Sequence, residues 1–148
     1  MKVKDCMCED VCCVKPETKI TEVAKLMSEN HIGCIPVCDN NNCICGKLTD
    51  RDILLRTVAC DKDCSQTTAK DIMSTELCTC KQDDDMTNAE SKMANNQIRR
   101  LPVCDENNQV IGILTLGDLA QNDIQLGRQQ VCDTISDICN CNSNKNNC

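Results

Sequence analysis

The chain has 148 residues, with 23 acidic and 16 basic side chains and a formal net charge of −7 at pH 7. A protein that neutralises nucleic-acid phosphates needs a basic face, so this charge argues against a nucleic-acid partner. No apolar run approaches the roughly 18 residues that cross a bilayer, and the charged start lacks the apolar segment of a secretory signal. These features predict a cytoplasmic protein without a membrane partner.

An internal repeat organises the chain. Residues 3–54 align without a gap on residues 69–120, an offset of 66, with 19 identities in 52 positions. Self-similarity at a fixed offset indicates a duplicated structural unit. The repeat divides the chain into a first motif (1–58), a polar connector (59–68), a second motif (69–126) and a Cys- and Asn-rich tail (127–148). We expect the tail to be partly disordered, mainly from Asn140 onward.

In the first motif the pattern predicts strand, helix, strand, strand, helix. A β-rich run at residues 11–14 precedes Thr18, a residue type that caps helix N-termini, and apolar residues then follow at helical spacing. Residues 34–38 and 43–48 are predicted strands joined by an Asp-Asn turn. Residues 50–58 are predicted to form the closing helix.

The second motif repeats this order. Its predicted strands and helices cover residues 77–80, 86–95, 101–104, 110–114 and 116–126, and the helical signal weakens after Leu126. The predicted fold class is therefore α+β (mixed α/β), with two tandem β-α-β-β-α motifs.

The repeated segments resemble the CBS domain pair, or Bateman module, and look most like the small stand-alone bacterial proteins of that family. The resemblance covers roughly residues 1–123. It is carried by the lead-in Val3-Lys4-Asp5-Cys6-Met7, by the strand Ile35-Pro36-Val37-Cys38-Asp39, and by a closing Gly-x-x-Thr-x-x-Asp that begins at Gly46 and again at Gly112. It implies two motifs packed with pseudo-twofold symmetry through their sheets, leaving two clefts.

The resemblance also implies a regulatory function. Members of the family bind an adenine nucleotide (AMP, ADP or ATP) or S-adenosylmethionine in these clefts, commonly form homodimers and signal to a partner protein. The closing Asp binds the ribose hydroxyls, the Thr three residues earlier lies near the phosphate, and backbone around the proline contacts the base. The first cleft would use Asp52, Thr49, Cys34, Ile35 and Pro36, and the second Asp118, Thr115, Arg100, Leu101 and Pro102. The first motif also carries Arg51 and Arg56 and the second the pair Arg99 and Arg100, and either set could reach a phosphate in the cleft of the other motif.

The residue types fit this chemistry, although each has a structural alternative. A carboxylate accepts hydrogen bonds from both ribose hydroxyls, and a guanidinium group donates two parallel hydrogen bonds to a phosphate. The two aspartates could instead be first-turn acids that complement a helix dipole, and the two threonines could be N-caps. Each arginine, including Arg56, could equally form a surface salt bridge. Because the arginines of one motif have no arginine counterpart in the other, we expect the clefts to differ.

The 17 cysteines raise a competing hypothesis. Several align with a branched apolar residue of the other motif, as Cys6 does with Ile72, which favours burial as small apolar side chains. Six have no counterpart and a polar context, so we expect them to be exposed, and a thiol-based metal or redox sensor is the alternative function. His31, the only histidine, has no placed nucleophile or acid partner and therefore does not indicate a catalytic site. We expect neither an enzyme nor an obligatory cofactor. The six are Cys60, Cys64, Cys132, Cys139, Cys141 and Cys148.

Overall fold

The computed structural model describes residues 1–140. Within these residues, no helix has the length and apolar character needed to cross a membrane. The helices are α1 (Ile20–Asn30), α2 (Asp50–Arg56), α3 (Ala69–Ile72), α4 (Met86–Asn96), α5 (Leu116–Gln121), α6 (Asp123–Leu126) and α7 (Arg128–Cys139). The strands are β1 (Cys34–Cys38), β2 (Ile44–Thr49), β3 (Cys80–Lys81), β4 (Arg100–Cys104) and β5 (Val110–Thr115). The mixed helix-and-strand class and its two tandem repeats are confirmed.

The chain divides into two compact units. The motif-1 unit contains Asp10–Leu77 and Asp105–Val110. The motif-2 unit contains Met1–Glu9, Cys78–Cys104 and, within the described part of the chain, residues 111–140. Each unit has its own hydrophobic core.

Helix α1 covers the core of the motif-1 unit. Its residues Ile20, Val23 and Met27 are buried, as the helical spacing predicts. The prediction that Thr18 caps this helix is wrong, because the Thr18 hydroxyl accepts a hydrogen bond from Lys15 N instead. The first N–H groups of α1 donate to the carbonyls of Thr67 and Cys64, so the connector replaces a side-chain cap.

The sheet of the motif-1 unit is shorter than predicted. Strands β1 and β2 pair antiparallel, with Cys34 opposite Thr49. Of the predicted strand at residues 11–14, one parallel bridge from Val14 to Val37 remains. The turn between β1 and β2 ends with Asn42 at φ 61°, a left-handed conformation that Asn tolerates, and its repeat counterpart Asn108 has the same φ.

The motif-2 unit has the corresponding sheet in the order β3-β4-β5. Strand β3 pairs parallel with β4 through two residues, the first being Cys80 opposite Val103. Helix α4 buries the predicted Met86, Ala89 and Met93 in the core of this unit. Both motifs therefore build the same local arrangement from the repeated sequence.

The lead-in segment of each motif packs on the body of the other motif. Val3 N donates to Asp84 O at 3.0 Å, and its repeat counterpart Ala69 N donates to Thr18 O at 2.8 Å. Val3 is buried in the motif-2 unit and Ala69 in the motif-1 unit. The two sequence motifs are consequently regrouped in space, because each compact unit contains one motif body and the other motif's lead-in.

This exchange explains the glycine of each Gly-x-x-Thr-x-x-Asp segment. A Cβ added at Gly46 would overlap the side chain of Met73, and one added at Gly112 would lie 2.6 Å from the Met7 sulfur. Met7 and Met73 are counterparts in the lead-in segments. The glycine thus leaves space for the methionine of the other motif's lead-in.

The tail begins with a helix that the sequence pattern did not predict. Helix α7 buries Val131 and Ile138 in the core of the motif-2 unit. The weak helical signal after Leu126 reflects a narrow apolar face, since most of the remaining α7 residues are exposed. The predicted disorder from Asn140 onward falls, beyond that residue, outside the described part of the chain.

Candidate functional site

In the motif-1 unit, the predicted site residues meet where β2 passes into α2. Thr49 is the N-cap of α2, and its Oγ1 accepts a hydrogen bond of 3.1 Å from Asp52 N. Asp52 Oδ2 accepts one of 3.0 Å from Thr49 N in return. This reciprocal capping box corresponds to the structural alternative for both residues. The ends of the strands are joined here too, since Asp50 N donates to Gly33 O at 3.1 Å.

The second carboxylate oxygen of Asp52 has a partner within the unit. Arg56 Nη2 lies 3.4 Å from Asp52 Oδ1, one helical turn away. Arg56 Nη1 donates to Ile72 O at 2.7 Å and to Ser74 Oγ at 3.1 Å. Arg56 therefore ties α2 to the lead-in of the second motif, which corresponds to the structural alternative for this arginine. The i, i+4 spacing from Asp52 was the available sequence signal.

The motif-2 unit has the same junction between β5 and α5. Asp118 Oδ2 accepts hydrogen bonds of 2.7 Å from both the backbone N–H and the hydroxyl of Thr115. Asp118 N donates to Thr115 Oγ1 at 3.3 Å. Within residues 1–140, Asp118 Oδ1 has neither a hydrogen bond nor an ion pair, and it is not among the fully buried polar atoms. This carboxylate therefore has one oxygen available for a ligand.

The arginine pair lies at the same junction. Arg99 O accepts a hydrogen bond of 3.0 Å from Leu116 N, the first residue of α5. The side chains of Arg99 and Arg100 are exposed, and in the described part of the chain neither forms an ion pair. The segment whose backbone is bonded to the first turn of α5 thus carries two guanidinium groups without an ion pair among residues 1–140, and that turn carries Asp118 with its unpaired oxygen.

The counterpart positions in the motif-1 unit supply no cation. Cys34, at the position of Arg100, is buried with Ile35 and Pro36 in β1. Arg51 is exposed on the first turn of α2, and its backbone N–H donates to Asp50 Oδ1 at 2.9 Å. The expectation that the two sites differ is consistent with this arrangement of charges.

The proline-containing strands β1 and β4 occupy equivalent places, although β4 is the central strand of its sheet and β1 pairs with β2 and with one bridging residue, Val14. Pro36 O accepts a hydrogen bond of 3.0 Å from Val14 N. Leu101 and Pro102 are buried at the equivalent place in β4. The proline-containing segment of each motif is therefore buried within its strand.

The cysteines with a repeat counterpart are mostly core residues. Cys6, Cys38, Cys80 and Cys104 are buried, which confirms that they replace apolar side chains. Burial raises the pKa of the Cys6 thiol, and the negative charges of Asp5 and Asp118 add to the effect. These thiols are therefore poor metal ligands and poor nucleophiles at neutral pH.

The cysteines without a counterpart do not gather into a metal site in residues 1–140. No three His, Cys, Asp or Glu side chains there are placed to hold a metal ion. Cys60, Cys132 and Cys139 are exposed as predicted. Cys64 is instead half-buried against the core of the motif-1 unit. Cys141 and Cys148 lie outside the described residues.

Comparison with known proteins identifies a family that the chain matches. The model for the CBS domain matches residues 3–58 and 69–124. The CBS domain-containing protein YhcV of Bacillus subtilis is 42% identical over 136 residues, which cover 92% of this chain and 94% of YhcV.

Two solved structures are similar over most of the chain. CBSX2 from Arabidopsis thaliana, solved in complex with AMP, is 26% identical with a TM-score of 0.73, and the match covers 84% of this chain and 97% of CBSX2. Hypoxic Response Protein I, solved with two coordinated zinc ions, is 30% identical with a TM-score of 0.74, covering 82% of this chain and 98% of that protein.

Proposed function

This chain belongs to the CBS domain family, and we propose that it is a regulatory module that binds an adenine nucleotide at the Asp118 junction and signals to a partner protein. The free Oδ1 of Asp118 carries the proposal. A carboxylate with one oxygen held by Thr115 and the other available can accept the two hydroxyls of a ribose in a fixed orientation. The AMP complex of CBSX2, a structure of similar fold, supports this ligand class.

The arginine pair supports a ligand that carries phosphate. Arg99 and Arg100 are exposed at the start of β4, whose backbone is bonded to the first residue of α5. The chain has no aromatic residue, so a base here would pack against aliphatic side chains. Charge-assisted hydrogen bonds from guanidinium to phosphate would then supply much of the affinity.

The Asp52 junction is proposed as the weaker site. Its Oδ1 is paired with Arg56, which also holds Ile72 O and Ser74 Oγ. A ribose would have to displace this arginine, and its release would leave the Ile72 carbonyl without that partner. We therefore expect one nucleotide per chain at moderate ligand concentrations.

Isothermal titration calorimetry with AMP, ADP, ATP and S-adenosylmethionine tests the proposal. Replacing Asp118 with Asn should weaken binding about tenfold to a hundredfold, because a hydrogen bond to a charged group contributes about 1.5–3 kcal/mol. The matched Asp52→Asn variant should change the affinity of the first binding event by less than about threefold. Absence of binding by all four ligands, or equal affinities for wild type and Asp118→Asn, would refute the proposal.

A second series identifies the phosphate contacts. Arg99→Ala and Arg100→Ala should weaken ATP binding while leaving adenosine binding unchanged, since adenosine lacks phosphate. Arg128→Ala is the matched control, because Arg128 is exposed but paired with Asp123 at 3.0 Å, and neither residue belongs to β5 or α5. Equal losses for adenosine and ATP would assign the two arginines a structural role instead.

We also propose that the module acts as a homodimer in the cytoplasm. Leu54, Leu55 and Val58 are 55%, 45% and 59% exposed along α2 and the turn after it. Adjacent exposed apolar side chains of this size favour association. Light scattering of a Leu54→Glu/Val58→Glu variant should give a monomer where wild type gives a dimer, and a monomeric wild type would exclude this assembly.

A further inference from the structure

A polar groove runs between helices α4 and α7 of the motif-2 unit, and its lining residues belong to neither junction. It has a volume of about 320 Å³. Each helix contributes residues at i, i+3, i+4 and i+7, so the groove follows both helix axes for roughly 10 Å. The lining residues are Thr87, Glu90, Ser91 and Ala94 from α4, and Gln130, Asp133, Thr134 and Asp137 from α7.

Glu90 lies at the floor of this groove with an unsatisfied oxygen. The residue is 3% exposed, whereas Ser91, Asp133 and Asp137 beside it are exposed. Glu90 Oε2 accepts a hydrogen bond from Gln130 Nε2. Glu90 Oε1 has no hydrogen-bond partner among the described residues. A buried oxygen without a partner costs about 1–3 kcal/mol, and more when it is charged, so its presence indicates a missing donor.

The groove offers hydrogen-bond acceptors and few donors. The Ser91 hydroxyl donates a hydrogen bond of 2.8 Å to Thr87 O, and the Thr134 hydroxyl donates one of 2.9 Å to Gln130 O. Their lone pairs remain, together with the carboxylates of Asp137 and of Asp133, whose Oδ1 already accepts a hydrogen bond of 2.8 Å from Gln129 Nε2. The lining described here contains three carboxyl groups and no lysine or arginine. A ligand that matches this surface must be positively charged and rich in N–H groups.

The length of the groove distinguishes between classes of cation. Asp133 and Asp137 are four residues apart on α7, which separates them by about 6 Å along the helix axis. No three acidic, histidine or cysteine side chains of the described residues converge as metal ligands would. A series of charges along a narrow groove suits a linear cation better than a compact one.

We propose that the α4–α7 groove binds a linear aliphatic polyamine, with one ammonium group on Glu90 Oε1 and further ammonium groups on Asp133 and Asp137. The Glu90 carboxylate reaches the ligand by rotation about its terminal torsion, which is soft. The methylene segments lie against Ala94 and the aliphatic parts of the threonines. The residues that would hold the polyamine are distinct from those proposed to hold the nucleotide.

Calorimetric titration of the full chain with spermidine tests this site. Glu90→Gln, which is nearly isosteric, should weaken spermidine binding at least tenfold, the loss expected for one charge-assisted hydrogen bond. The control is Glu22→Gln, an exposed acid on the first turn of α1, which is the counterpart of α4; it should bind spermidine as wild type does. Circular dichroism of each variant verifies that α7 remains folded.

Two further probes separate the site from general attraction to an acidic protein. Magnesium chloride, added at the same concentration of positive charge as spermidine, should neither compete with spermidine nor give a saturable binding isotherm. The diol 1,8-octanediol, which has similar length but no charge, should not bind. Equal spermidine affinity in wild type and Glu90→Gln, or full competition by magnesium, would overturn the proposal.

Discussion

Arg56 Nη2 lies 3.4 Å from the Asp52 carboxylate, but Asn122, the repeat counterpart of Arg56, donates at 2.8 Å to the backbone carbonyl of Asp118. One substitution in a duplicated sequence thus leaves one carboxylate paired and the other open. The difference arises from side-chain length. The short Asn122 side chain contacts the backbone carbonyl of the residue four positions earlier, whereas the longer Arg56 side chain contacts the carboxylate at the equivalent position. It makes the two junctions chemically unequal although their capping boxes match.

Replacing Arg56 with Gln should lower the free energy of unfolding by about 1–2 kcal/mol, the usual effect of losing hydrogen bonds at a partly exposed site. The loss of stability arises because Ile72 O and Ser74 Oγ each lose the hydrogen bond that the Arg56 guanidinium donates. The same change frees Asp52 Oδ1, so a second nucleotide-binding event should become measurable by calorimetry. Urea denaturation measures the stability, and Arg51→Gln, an exposed arginine of the same helix, serves as the control. An Arg56→Gln protein as stable as wild type would contradict this role.

The motif glycines should tolerate alanine only where no methionine faces them. Gly46→Ala and Gly112→Ala should each destabilise the fold by about 1–3 kcal/mol, because the new methyl group overlaps Met73 or Met7. In Gly117→Ala the nearest contact is Thr115 Oγ1 at 3.4 Å, so this change within α5 should be neutral or stabilising by up to about 1 kcal/mol. Thermal denaturation of the three variants measures the contrast.

A double variant tests the cause of the glycine effect. If the clash with Met73 is responsible, Met73→Ala should cost stability in wild type but much less in the Gly46→Ala background. Additive losses would show that Gly46 is required for another reason.

The sequence predicted the repeated elements because the hydrophobic pattern and the turn residues agree within each motif. Asn42 and Asn108 mark both hairpin turns, and the apolar spacing from Ile20 and from Met86 identifies both long helices. The helix caps were less predictable. The first backbone N–H groups of α1 donate to the carbonyls of residues 64 and 67, and this contact comes from a segment distant in sequence. Helix α7 was missed because its stability depends on docking and not on its own composition.

The sequence predicted which residues stand at each strand-to-helix junction but not the partners of their side chains. The Thr-x-x-Asp spacing identified Thr115 and Asp118 and also specified their capping box. Nothing in a linear sequence shows that Arg56 reaches Ile72 across the connector, or that the oxygen of Glu90 lacks a donor. Such properties depend on how separate segments meet.

Cys80 makes stability depend on pH. Burial raises the pKa of its thiol to about 12, from the usual value near 9. A thiol whose pKa is raised in the folded state favours folding fully below about pH 9, and that contribution is lost as the pH rises toward 12. Between pH 8 and 10.5 the loss should be on the order of 2 kcal/mol. The matched variant Cys80→Val, which copies Val14 of the first motif, should lose less in urea denaturation, whereas parallel pH profiles would count against the assignment.

Glu90 should make the stability depend on pH in a lower range than Cys80 does. Burial raises the pKa of this carboxyl, opposed by the hydrogen bond from Gln130. The titratable groups that face it are Asp133 and Asp137 from α7 and the Cys6 thiol from the N-terminal segment. Because the folded-state pKa is raised, stability is complete below the ordinary pKa of 4.5 and is lost as the pH rises through the folded value.

Glu90→Gln removes this titration and should therefore raise the melting temperature near pH 8 while leaving it almost unchanged near pH 4. Glu22→Gln on the exposed face of α1 should leave the profile of wild type intact. Adding spermidine to wild type at pH 8 should restore the melting temperature toward that of Glu90→Gln, since an ammonium group supplies the donor that Oε1 lacks. If Glu90→Gln melts below wild type at both pH values, both oxygens of the Glu90 carboxylate have hydrogen-bond partners in solution. That result would exclude both the proposed pH dependence of stability and the proposed cation site.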